Sequence, residues 1–140
     1  MKKVCITLLM LILSSVTNAK EQVIEDGFKA FKEKGAIEAW NIWAKNGPME
    51  GSKELNAQAS QFGQIGAYYG NYHSHDYVAE KELSPTTKFV YIVLNMDSGP
   101  LFGRFYLYKK ASGVWTVPNF NFHTLTEQIW PSNLYSSCEK

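Results

Sequence analysis

From Asn71 the chain passes through four runs of strand-like alternation, at about 72–83, 87–96, 101–110 and 114–122. They are separated only by SPT, by DSGP at 97–100 and by ASG at 111–113. Connections this short cannot carry a crossover, because parallel strands need a dozen or more residues between them. The four strands must therefore pair with their sequence neighbours as an antiparallel meander.

The faces of that meander narrow the choice further. In TKFVYIVLNM, Val90, Ile92 and Leu94 project one way and Phe89, Tyr91 and Val93 the other. In LFGRFYLY, Leu101, Phe105 and Leu107 oppose Phe102, Tyr106 and Tyr108. A sheet with one wet face would alternate apolar with polar. Both faces are thus expected to be covered, one by helices and the other by a second subunit or a ligand.

The helices come first in the chain. Ile24, Phe28 and Phe31 recur at helical spacing from Glu21. Gly35 interrupts, and Ile37, Trp40, Trp43 and Ala44 resume the pattern until Asn46-Gly47-Pro48. Ser52 is placed to cap a third helix in which Leu55, Ala59, Phe62, Ile65 and Tyr69 form one stripe and Gly70 ends it. Gly63 and Gly66 inside that helix cost about 1 kcal/mol each relative to alanine. They are expected to line a side packed closely on the sheet, or else to shape a cavity.

The opening MKKVCITLLMLILSSVTNA has a basic start at Lys2 and Lys3, an apolar run from Val4 to Leu13 and a small-residue end at Ala19, the pattern of a cleaved secretory signal. The apolar run falls well short of the roughly 20 residues that span a membrane. A periplasmic or secreted protein with no membrane anchor is expected, as one domain over residues 20–140 whose ending HTLTEQIWPSNLYSSCEK is an ordered loop fading into a loose C-terminal tail. Cleavage would leave Cys138 as the one cysteine, and so no internal disulfide. Without Lys2 and Lys3, 12 basic residues of the 14 face 13 acidic ones, a balance that excludes the basic footprint of nucleic-acid binding. The aromatic residues, 4 Trp, 8 Tyr and 8 Phe, all lie beyond the signal and dominate the composition.

Three helices ahead of a bent meander, with Gly70-Asn-Tyr, Tyr77-x-x-Glu80, Phe89-Val-Tyr, Gly99-Pro-Leu-Phe-Gly-Arg-Phe105, Trp115 and Phe120-Asn-Phe122-His-Thr, resemble the small secreted bacterial members of the nuclear transport factor 2 superfamily. The resemblance covers about residues 23–130 and implies an α+β cystatin-like cone. No aspartate matches the inner-strand general base of the isomerase-like and cyclase-like branches, so their functional residues do not carry over. The superfamily hosts enzymes, binders and assembly modules on one scaffold, so fold alone decides little.

Candidate chemistry lies in YHSHDY at 72–77. On a regular strand His73 and His75 share a face, as two metal ligands would, whereas Asp76 projects oppositely and His123 follows the last strand. No metal is therefore expected. The two histidines are weak catalytic candidates, either as half-exposed polar residues or as a general acid or base with a cavity tyrosine. Ser74, His75 and Asp76 cannot hand a proton along a line, because neighbours on a strand alternate in direction.

The candidate ligand-binding residues are Trp40, Trp43, Phe62 and Tyr69, with Tyr68 beside them, on the helices, and Tyr91, Arg104 and Tyr106 on the strands. The helical aromatics line either a core or a cavity. Arg104, the chain's one arginine, either clamps a carboxylate or phosphate on a concave face or, on a flat one, pairs with Asp97, Glu80 or Glu82 or stacks on a tyrosine across a dimer. No phosphate loop, CxxC, HExxH or GxSxG occurs, and no cofactor is expected. The expected function is a non-enzymatic binding module, a homodimer through its sheet, for a small apolar or amphipathic molecule or a protein partner. The alternatives are a small isomerase- or cyclase-like enzyme using a histidine and a cavity tyrosine, and an inhibitor or immunity-type protein.

Overall fold

A computed structural model describes residues 19–135. The signal read at 1–19 and the tail with Cys138 fall outside them, except for Ala19. Helices α1 (Ala19–Lys34), α2 (Ala36–Ala44) and α3 (Lys53–Tyr69) precede strands β1 (Tyr72–Ser84), β2 (Thr87–Met96), β3 (Gly99–Lys109) and β4 (Trp115–His123). Two 3-10 turns follow, at Thr126–Gln128 and Ser132–Leu134. The sheet is antiparallel throughout in the order β1-β2-β3-β4, so the chain is α+β with its strands paired neighbour to neighbour.

The breaks between helices have local causes. Gly35 sits at φ 93°, a conformation that costs side-chain-bearing residues dearly, and it turns α1 directly into α2. The Ser52 hydroxyl accepts from the Leu55 N–H at 3.1 Å and starts α3. Gly70, at φ 77°, ends that helix.

The inner face of the sheet and the three helices enclose one aromatic core. Trp43, fully buried, lies at its centre, with ring centroids 5.0 Å from Phe28, 5.1 Å from Trp40 and Phe105, and 5.2 Å from Phe120. Its indole N–H donates to the Ile24 carbonyl at 3.0 Å. Burying rings of this size removes about 150–250 Å² each from water, or about 4–6 kcal/mol of transfer free energy per ring. Ile24, Phe28, Leu55, Ala59, Phe62, Val90, Ile92, Leu94, Leu101, Phe105, Leu107 and Val117 complete it.

Two expectations change here. The outer face of the sheet is covered in part by the chain's own C-terminal segment, in which Ile129 and Trp130 pack on Tyr91 with Leu134 and Tyr135 alongside. The Trp130 N–H donates to the Gly103 carbonyl at 3.1 Å, and its ring meets Phe102 edge-on at 5.1 Å. The loop expected after the last strand is thus packed as far as Tyr135, because an Ile-Trp pair ahead of Pro131 has an apolar surface to reach. Gly63 and Gly66, in turn, face open space: a Cβ at either position would find no side chain or other element within 4 Å. Neither therefore serves close packing of the helix on the sheet.

Candidate functional site

β1 does not run as a regular strand. Its register with β2 shifts between Tyr72 and Ser74 and again between Tyr77 and Ala79. Each shift leaves one extra residue on β1, His73 and then Val78, as in a β-bulge. Tyr72, His75 and Tyr77 therefore share the inner face, opposite Met96, Leu94 and Ile92, while Ser74 and Asp76 lie on the outer face with Asn95 and Val93. The same-face pairing of His73 with His75 expected for a regular strand is overturned by the bulge. The opposite direction of Asp76 stands.

The two histidines consequently sit in different environments. The His73 side chain is 58% exposed and is hydrogen-bonded through Nε2 to Asp97. Asp97 also accepts from the backbone N–H and the side-chain amide of Asn71, at 2.7 and 3.0 Å. The Asn71 backbone bond first, and then the His73 bond, hold its carboxyl below the usual range. This is a lock on the α3–β1 junction, closed over Gly70, where a Cβ would strike Asp97.

His75 is only 10% exposed and lies flat on Phe28, ring centroids 4.0 Å apart. Its Nε2 lies 2.9 Å from Glu25 Oε1, which also accepts from the Tyr77 hydroxyl at 2.7 Å, and its Nδ1 lies 2.7 Å from the Tyr72 hydroxyl. A carboxylate only accepts, so Nε2 carries a proton. With the ring neutral, Nδ1 then accepts from Tyr72. The result is an ordered chain from Tyr72 through His75 to Glu25. Burial, and then the charge of Glu25, push the Tyr72 hydroxyl up to about 12, so it stays a donor across the neutral range. A groove of about 310 Å³ runs alongside, lined by Glu25, Phe28, Lys29, Lys32 and residues 72–75.

The seven candidate ligand-binding residues divide between two faces. Trp40, Trp43 and Phe62 belong to the core, and Tyr69 packs against it half-buried. Trp40 and Phe62 also border a shallow groove of about 220 Å³ with Gln58, Gln61 and Phe122. Tyr68, by contrast, is 83% exposed. Tyr91, Arg104 and Tyr106 lie on the outer face. The helix-to-sheet space holds rings in mutual contact, not a cavity shared by all seven.

Arg104 pairs with none of Asp97, Glu80 or Glu82. Asp97 is engaged by His73 and Asn71. Glu80 and Glu82 lie on the inner face, where they hold Lys88 at 2.8 and 3.3 Å. The Arg104 guanidinium instead lies 5.4 Å from the centre of the Phe89 ring.

Glu25 and Phe28 were not among the sequence candidates, nor was Trp130. Glu25 meets His75 across 50 positions of chain, and Trp130 meets Gly103 across 27. Their only signal was an acidic residue one turn before Phe28 and an Ile-Trp pair before a proline.

Among the described residues no three His, Cys, Asp or Glu side chains converge as a metal shell. Nor is any helix long and apolar enough to cross a membrane. No family model, curated protein or solved structure matches this chain.

Proposed function

We propose that the chain is an exported, non-enzymatic binding module on the cystatin-like cone plan of the nuclear transport factor 2 superfamily, taking a small amphipathic molecule on the outer face of its sheet. The cone is supported by three helices ahead of a four-stranded meander and by the bulges in β1, a device that bends a strand. Export rests on the basic-then-apolar pattern of residues 1–19.

The observation that carries the reading is where apolar surface remains open. The inner face is buried against the helices in one cluster, whereas Phe89, Phe102 and Tyr106 are half-exposed and Tyr108 is exposed on the outer face. The dimer expectation rested on that face being uncovered. With Tyr91 roofed by Ile129 and Trp130, the strip left open suits a smaller occupant.

The test is the fluorescence of N-phenyl-1-naphthylamine with the intact protein and with a Phe89→Ser/Tyr106→Ser double variant. Saturable enhancement that weakens about tenfold or more in the folded variant is expected, since each half-buried ring contributes about 1 kcal/mol or more. Equal enhancement in both proteins, or none in the intact one, overturns the reading.

The Tyr72–His75–Glu25 chain favours a second reading, a small acid–base enzyme working in the groove beside it. It ranks second because both imidazole nitrogens already have partners in the chain. The check is deuterium exchange from D2O into small enolisable ketones, followed by proton NMR. This reading expects faster exchange with the intact protein than with His75→Asn, and equal rates rule it out.

A further inference from the structure

Arg104 stands in the middle of β3, opposite Tyr91 of β2 and Asn121 of β4, on the outer face. Every residue flanking it across and along the strand on that face is neutral: Tyr91, Asn121, Phe102 and Tyr106. Among the described residues no ion pair or hydrogen bond reaches its guanidinium. Asn121, across the strand, engages its amide nitrogen with Asn119 Oδ1 at 2.9 Å.

A half-buried guanidinium normally recovers its lost hydration from a carboxylate or from carbonyls. Here the protein supplies an aromatic shelf instead. The guanidinium lies on Phe89, whose ring is 5.4 Å from Tyr106 and 6.2 Å from Tyr91. The five N–H donors of Arg104 present a planar fork, matched to the two oxygens of a carboxylate, beside a flat apolar surface.

We infer that Arg104, Phe89 and Tyr106 form a binding site for a small molecule that carries one carboxylate on a flat apolar body. This rests on the outer-face reading above and adds the chemical class of the ligand. A bare phosphate would use the fork and gain nothing from the rings. A neutral aromatic would use the rings and leave the charge unmatched. The roof of Ile129 and Trp130 over Tyr91 limits the body to a small one.

Because Arg104 is the chain's one arginine, its Nε–H gives a single, assignable NMR signal. The experiment titrates 2-naphthoate into 15N-labelled protein, with 2-naphthalenemethanol, acetate and inorganic phosphate as separate arms. A saturable shift of the Arg104 Nε–H signal with 2-naphthoate is expected, with at least tenfold weaker responses to the other three. In Arg104→Gln, 2-naphthoate affinity should fall about tenfold or more, the loss typical of a charge-assisted pair. N-phenyl-1-naphthylamine binding should survive that substitution.

The inference is overturned by an unmoved Arg104 signal, by an equal response to acetate or phosphate, or by undiminished 2-naphthoate binding in Arg104→Gln. If naphthylamine still binds the intact protein in any of those cases, the outer-face reading stands without a carboxylate. Loss of both signals removes the two together.

Discussion

Gly27→Ala is expected to cost about 3 kcal/mol of folding stability, although it adds a single methyl group to a helix. Alanine favours helix over glycine by about 1 kcal/mol, so propensity alone predicts a gain. Space decides otherwise: a Cβ at Gly27 would lie 1.9 Å from Trp43 Nε1 and 2.4 Å from two further indole atoms. Trp43 cannot retreat, since Phe28, Trp40, Phe105 and Phe120 enclose it. Moving it also breaks the indole bond to the Ile24 carbonyl. Urea unfolding monitored by tryptophan fluorescence measures the loss. In a Trp43→Phe background the smaller ring should absorb the methyl, so the two substitutions should be strongly non-additive. A stabilised Gly27→Ala would show that α1 and α2 do not approach as closely as described.

Trp130→Ala should cost about 3 kcal/mol and also change the surface. The indole is nearly buried, fills the gap over Tyr91 and Phe102, and anchors the C-terminal segment through the Gly103 carbonyl. Its loss leaves Ile129, with Leu134 and Tyr135 alongside, to hold the segment and uncovers the outer apolar face, so binding of 8-anilinonaphthalene-1-sulfonate should rise under native conditions. Chemical unfolding and dye titration on one sample distinguish this from a generally loosened core, which would also lose its near-ultraviolet circular dichroism. A drop in stability below about 0.5 kcal/mol with no added dye binding would mean that the segment does not roof the sheet.

Much of the architecture was legible because its causes are local. Alternation in TKFVYIVLNM and LFGRFYLY and the short turns between strands force a meander, and Ser52, Gly35 and Gly70 punctuate the helices where backbone chemistry requires it. The site was much less legible. Period-two alternation assumes a regular strand, and one extra residue at His73 inverts the facing of everything before it. That inversion is what gathers Tyr72, His75 and Tyr77 over Glu25 and leaves His73 to Asp97.

Burial of the helical aromatics could not be decided from periodicity either. An aromatic stripe looks the same whether it lines a cavity or fills one. The sequence alone determined the α+β class, the neighbour-to-neighbour strand order and the two apolar faces of the sheet, since these follow from side-chain direction and chain length between neighbours. Only the tertiary structure decided which atoms meet across them: Glu25 under His75, Trp130 over Gly103, and the Arg104 guanidinium over Phe89. Such contacts join residues tens of positions apart, and their geometry depends on packing that no local pattern carries.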